Sequence, residues 1–129
     1  MTSAASVLND AASRDVTLVV VGAGGFGREV LDVVEAMNVG GAGIAVEGFV
    51  DDGDASVPLL TRRGARYLGA IERLVVGGHV TPDTGYVIGI GSGGVRRDLD
   101  ATLSTAGRRA LVLIHPMATV GGDCRLGEG

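Results

Sequence analysis

Gly22, Gly24 and Gly27 follow one another at the spacing G-x-G-x-x-G, between the apolar run Val16 to Val21 and a segment of helical period. A strand turning through glycines into a helix is what an anion site requires. The first glycine allows a tight turn, the second lets a phosphate approach the backbone, and the third lets the helix pack closely on the strand. The helix then presents unpaired N–H groups and the positive end of its dipole to the ligand. With 23 glycines in 129 residues the spacing says little by itself. Its setting raises it, because a continuous β-branched run reads as a buried parallel strand and a helical stripe follows. Gly25 and Phe26 complete the turn, and Arg28 falls in the first helical turn.

A second glycine cluster, Gly91-Ser92-Gly93-Gly94, also follows an apolar run, Tyr86 to Ile90, and also precedes a helical segment, with Arg96 and Arg97 in its first turn. A cation there opposes the helix dipole by roughly 0.3 to 1 kcal/mol. A bound diphosphate reverses the sign of that cost; the alternative is that the arginines point into water, where the cost is screened. Between the two clusters, Asp51 and Asp52 end a third apolar run. They could accept hydrogen bonds from a ribose or base, as the acidic residue of the dinucleotide fingerprint does, or form an ordinary Asp-Gly turn.

The elements that must position these groups are read from periodicity. Val30, Val33, Val34 and Met37 recur at i, i+3, i+4 and i+7, which draws one stripe on a helix from Gly25 to Asn38, ended by Gly40, Gly41 and Gly43. Ile44 to Val50 is a second strand, stopped by Asp51-Asp52-Gly53-Asp54. Residues 57–83 are the least legible, with an edge strand or loop at Arg66 to Leu68 and a short helix from Ala70 to Val76. Tyr86 to Ile90 is a third strand, Val95, Leu99, Thr102 and Leu103 mark the next helix, and Ala110 to Ile114 is a fourth strand after Gly107. Strands alternating with helices at this spacing imply an α/β, Rossmann-like domain with a parallel sheet of about four strands. With the strand order 2-1-3-4, the switch point falls between strands one and three, flanked by both glycine turns.

Composition excludes several classes of function. The net charge is −4 and aromatics make up 3% of residues, so the chain has neither the basic footprint nor the stacking platforms of a nucleic-acid binder. All 11 basic residues are arginine. Lysine-dependent chemistry, namely P-loop binding, Schiff bases and pyridoxal phosphate, is therefore outside its reach. Hydrophobic residues reach 46%, enough for one folded domain, yet no apolar run approaches the roughly 20 residues of a membrane span. A soluble, cytoplasmic protein is expected, and the single cysteine, Cys124, fits a reducing compartment. Residues 1–14 lack the marks of a signal peptide and read as a disordered lead-in. His79 lies in a polar loop without a partner carboxylate, His115 precedes Pro116 at a hinge, and Cys124 reads as a packing residue; no catalytic triad or metal-spaced cluster can be assembled.

From Ala118 the character changes. Val120 and Leu126, each followed by glycine, recur at a period of six, the rhythm of a parallel β-helix. Two hexads cannot stand alone, since such repeats bury their faces only by stacking, so residues 116–129 read as the start of a second domain that is cut off.

Taken in order, Gly22 to Val30, then Gly48-Phe49-Val50-Asp51-Asp52, then Ile88-Gly89-Ile90-Gly91-Ser92 with Arg96, then His115-Pro116 leading into hexads, the sequence resembles the sialic acid O-acetyltransferase and UDP-amino-sugar N-acetyltransferase family of hexapeptide-repeat acyltransferases. The resemblance implies that residues 15–115 bind a UDP-sugar or a sugar acceptor of the amino-sugar or sialic-acid type. It implies that Gly25, Phe26 and Gly27 lie against the ligand, that Asp51 and Asp52 contact its uridine end, and that Gly91 with Ser92 lines the opposite wall. Some members carry histidine where this chain has Phe26, and paired asparagines where it has Ser92-Gly93. Acetyl-CoA, by the same resemblance, binds a C-terminal β-helix that is usually trimeric and holds the catalytic histidine, neither of which lies within this sequence; the chain is expected to bind but not to turn over. Two other functions fit the glycine turn: an NAD(H)-binding Rossmann domain, and a non-catalytic module that docks on β-helix partners.

Overall fold

The computed structural model describes residues 2–3, 16–53, 55–76 and 80–129. In chain order the strands are β1 (Thr2–Ser3), β2 (Val16–Val21), β3 (Ile44–Val50), β4 (Tyr67–Gly69), β5 (Gly85–Ile88) and β6 (Arg125–Leu126), and the helices are α1 (Gly25–Val39), α2 (Val57–Arg62) and α3 (Gly93–Thr105). Four strands form one sheet in the order β4-β3-β2-β5, with every neighbouring pair parallel. The expected Rossmann-like α/β architecture is thus present. The chain's first long strand, β2, is central, and the sheet grows outward from it in both directions.

Alternation along β2 sorts the core into two layers, because successive strand residues face opposite sides. Leu18 and Val20 pack with Val30, Leu31, Val34 and Met37 of α1, with Phe49 and with Leu60 of α2. Val19 and Val21 pack on the other side with Val50, Tyr86, Leu74 and Leu103 of α3. Helices α1 and α3 therefore cover opposite faces, yet both start at the carboxyl ends of adjacent strands, β2 and β5. The return from α1 into β3 is pinned by Asn38, whose amide donates to the Ile44 carbonyl at 2.8 Å and accepts from the Ile44 N–H at 2.7 Å. This side chain does the work of a strand partner at a tight connection.

Several expected elements differ. The fourth strand is not Ala110 to Ile114: the isolated parallel bridge Tyr86–Ala110 is the pairing formed there, with Tyr86 N–H donating to Arg109 and Leu111 N–H to Tyr86. Beyond Leu111 the two backbones part. The fourth strand of the sheet is instead β4, on the far edge, where an edge strand or loop was expected. The segment from Ala70 to Val76 condenses to one turn of 3-10 helix, Ile71–Leu74. Helix α2, which has Pro58 in its first turn and buries Leu60, lies in the stretch that was illegible. In the hexad segment the chain turns at Gly121 to Cys124, and β6 pairs antiparallel with β1. The rest of the lead-in, 4–14, lies outside the described residues.

Candidate functional site

Because β2, β3 and β5 are parallel, the turns that follow them share one rim. Gly22 N–H donates to the Val50 carbonyl and Gly89 N–H to the Val21 carbonyl, both at 2.8 Å, which locks the three strand ends together. Gly22 has φ +105°, in the region that favours glycine. A methyl group on Gly27 would overlap the Gly22 carbonyl oxygen, and one on Gly89 would lie 2.7 Å from the Gly27 Cα. Three glycines from the two turns' approaches thus meet backbone to backbone, and α1 starts directly over the end of β5. The two glycine turns, after β2 and after β5, are neighbours, as the switch-point reading requires.

Both helices open without a carboxylate in the first turn. Gly24, the N-cap of α1, has no side chain to cap the following amides, so those N–H groups are left for a ligand or water. Ser92 caps α3 by accepting from Val95 N–H at 3.4 Å, a long contact. Gly24, Gly25, Gly91, Ser92 and Gly93 are all exposed. No heavy atom lies within 4 Å of the position a methyl would take on Gly24, Gly25, Gly91 or Gly93. The rim is open where an anion would sit.

The charged residues divide. Arg28 folds back, its guanidinium donating to the Ala23 carbonyl at 3.1 Å, so it braces the first turn. Arg96 is exposed, and among the described residues no carboxylate lies within ion-pair distance of Arg96 or Arg97; the two ion pairs found there both belong to Arg63, with Asp32 and Glu35. Asp51 is half-buried and accepts from Ala23 N–H and from Gly53 N–H, each at 2.7 Å. Asp52 is exposed and accepts from Ile71 N–H at 2.8 Å through one oxygen. Asp54 lies outside the described residues.

Beside the rim, where the 111–113 segment leaves β5, a cavity of about 450 Å³ opens. That is within the usual range for small-molecule sites. Phe26, Val30, Val33 and Leu113 give it an apolar side; Arg96, Arg97 and Asp100 of α3 give it a charged one. Tyr86 closes its floor, the phenol donating to Asp100 at 2.5 Å and lying 3.1 Å from the Ser104 hydroxyl. Burial, and then the bond to Asp100, push the Tyr86 phenol above the ordinary tyrosine range. Phe26 is 49% exposed, a large aromatic left half-uncovered where the cavity meets the glycine turn.

Residues 17–103 match the PglD N-terminal domain family, two thirds of the chain and all of the rim. The chain belongs to this family. No curated protein matches the sequence. This agrees with the resemblance drawn from the motifs: residues 17–103 are a PglD N-terminal domain, and the Rossmann-like sheet carries the expected turns. The family match ends at Leu103, before the 111–113 segment and the hexads.

Within this PglD N-terminal domain, Gly22, Gly24, Gly25, Phe26, Gly27 and Arg28 form one wall of the rim and Gly91, Ser92 and Arg96 the other. Asp51 and Asp52 stand at the end of β3. Of the weaker candidates, His115 accepts from Met117 N–H at 3.0 Å within a turn, Cys124 is exposed, and His79 lies outside the described residues. Among the described residues no group of three or more His, Cys, Asp or Glu is placed to hold a metal, and no helix is long and apolar enough to cross a membrane. Sequence reasoning quoted Gly89 within a motif but gave it no role of its own, and passed over the pair Tyr86–Asp100. A glycine inside an apolar strand is a known sign of close backbone approach, so Gly89 carried a legible signal; Asp100, one acidic residue among several on α3, carried none.

Proposed function

We propose that this domain holds the nucleotide-sugar, or the sugar, that accepts the acetyl group in an acetyl-CoA-dependent sugar acetyltransferase. The carrying observation is the pair of uncapped or weakly capped helix starts, side by side on one rim and opening onto the cavity beside Phe26 and Arg96. Family membership supports the sugar class. In this reading the diphosphate lies against the amides of Gly25 to Gly27 with Arg96 opposite, Asp52 takes the uridine end, and the sugar runs into the cavity past Phe26. The resemblance assigns the acetyl donor, acetyl-CoA, to hexapeptide coils; residues 118–129 form turns and one short strand here, so no step of acetyl transfer is drawn through this chain.

The test is thermal unfolding with UDP-sugars at millimolar concentration. Protection is expected, and Asp52→Ala is expected to remove it. No shift with any UDP ligand overturns the reading. Enhancement of NADH fluorescence on titration, without UDP protection, assigns the rim to a dinucleotide instead.

A further inference from the structure

The two adjacent acidic residues at the end of β3 are not equivalent. Asp51 uses both carboxylate oxygens inside the protein: Oδ2 accepts from the Ala23 amide in the first glycine turn, 28 positions away, and Oδ1 accepts from the Gly53 amide in its own turn. Its carbonyl accepts from the Tyr67 hydroxyl at 2.9 Å, and its N–H donates to the Gly69 carbonyl at 3.0 Å, which fixes the same residue to β4. Asp52 uses one oxygen, on Ile71 N–H, and among the described residues its other oxygen has no hydrogen-bond partner.

We propose that Asp51 is a positioning residue for the ligand's phosphates and touches no part of the ligand, while the neighbouring Asp52 alone reads the nucleoside. The proposal rests on the nucleotide-sugar reading of the rim. Its physical basis is that a carboxylate spanning two amides of different turns sets the distance between them. Taking up the Ala23 N–H fixes the plane of the peptide that joins Gly22 to Ala23, at the start of the turn whose amides follow. Arg28 holds the next peptide, the one leading into Gly24, through the Ala23 carbonyl, so Ala23 is gripped at both its N–H and its C=O and the amides that follow take their direction from both contacts. Charge-assisted bonds of this kind are about twice as strong as neutral ones. Asparagine cannot replace the carboxylate, because its NH₂ would face one of the two N–H donors.

The experiment is an NMR titration of the full chain with three probes, UDP, uridine and inorganic diphosphate. Asp51→Asn is expected to weaken UDP and diphosphate alike, by about tenfold for the loss of one charge-assisted bond, and to leave uridine unchanged. Asp52→Asn is expected to weaken UDP and uridine and to leave diphosphate unchanged. Equal weakening of uridine and UDP by Asp51→Asn, or wild-type affinity for all three, overturns the proposal while the nucleotide reading stands. Failure of the wild type to bind any of the three overturns the nucleotide reading itself. Should Asp51→Asn not fold, hydrogen exchange at Ala23 in the wild type decides: an amide protected without ligand and unchanged by UDP is expected, and one that exchanges freely, or is released when UDP binds, refutes the assignment.

Discussion

Gly27→Ala and Gly24→Ala, three positions apart in one motif, should fail in opposite ways. A methyl on Gly27 overlaps the Gly22 carbonyl oxygen and lies 2.8 Å from its carbon, and both partners are backbone. Real methyl contacts do not fall below 3.0 Å, and no side chain can rotate away, so α1 must lift off the end of β2. Overpacking of a filled site costs about 1 to 3 kcal/mol. With main chain on both sides the upper figure applies, and a loss of about 3 kcal/mol lowers Tm by on the order of 10 °C for a domain of this size. The lifted helix also carries its amides out of hydrogen-bond range of a phosphate. Gly24, by contrast, has φ −79° and open space around its methyl position, so alanine there meets no clash and costs only the poorer N-cap, under about 1 kcal/mol. It instead occupies the surface a phosphate must approach, and UDP affinity should fall about tenfold, the order of one lost charge-assisted bond. Urea unfolding and calorimetric titration read the two effects separately. A Gly27→Ala variant with the wild-type midpoint, or a Gly24→Ala variant that binds UDP as tightly as the wild type, refutes the division of labour.

Tyr86→Phe should change the alkaline limb of stability. Up to about pH 10 the phenol is protonated in both states; above it the unfolded phenol ionises while the folded one, held up by burial and Asp100, does not, so wild-type stability falls as pH rises. The variant loses about 1 kcal/mol at neutral pH and flattens that fall, as urea unfolding on either side of pH 10 will show. Arg108→Met should cost about 2 to 3 kcal/mol, since the guanidinium donates to the carbonyls of Leu74, Val80, Thr81 and Thr84 and so ties that loop to the chain just after α3. Faster amide exchange at Thr84 and Tyr86 accompanies it, and an unchanged unfolding midpoint counts against this role.

Three strands and two helices were legible because their apolar residues run or repeat over five or more positions. Val16 to Val21 and Ile44 to Val50 stand where the β-branched runs put them, and Val30, Val34 and Met37 bury the stripe their spacing draws. Helix α2 was illegible, since six residues hold under two turns and show no period. Ala110 to Ile114 has the composition of a strand, but pairing needs a partner alongside, and no pattern within a run states that its neighbour diverges. The glycine turns were readable because backbone geometry restricts residue type there. The duties of Asp51 and Asp52 were not: adjacent and identical in type, they differ in what faces them, and those partners come from positions 23, 53 and 71.

Where Gly22, Gly27 and Gly89 meet, main chain touches main chain and no rotamer exists to change. Such a seam cannot be repacked to suit a new occupant; it is either kept or broken. On the nucleotide-sugar reading proposed above, accommodation of differently shaped sugars falls to side chains at the edge of the seam, chiefly Phe26, whose ring lies against Gly89 yet is 49% exposed, and Ser92. If that reading holds, exchanges at those two positions alter what the rim accepts without disturbing how the domain folds.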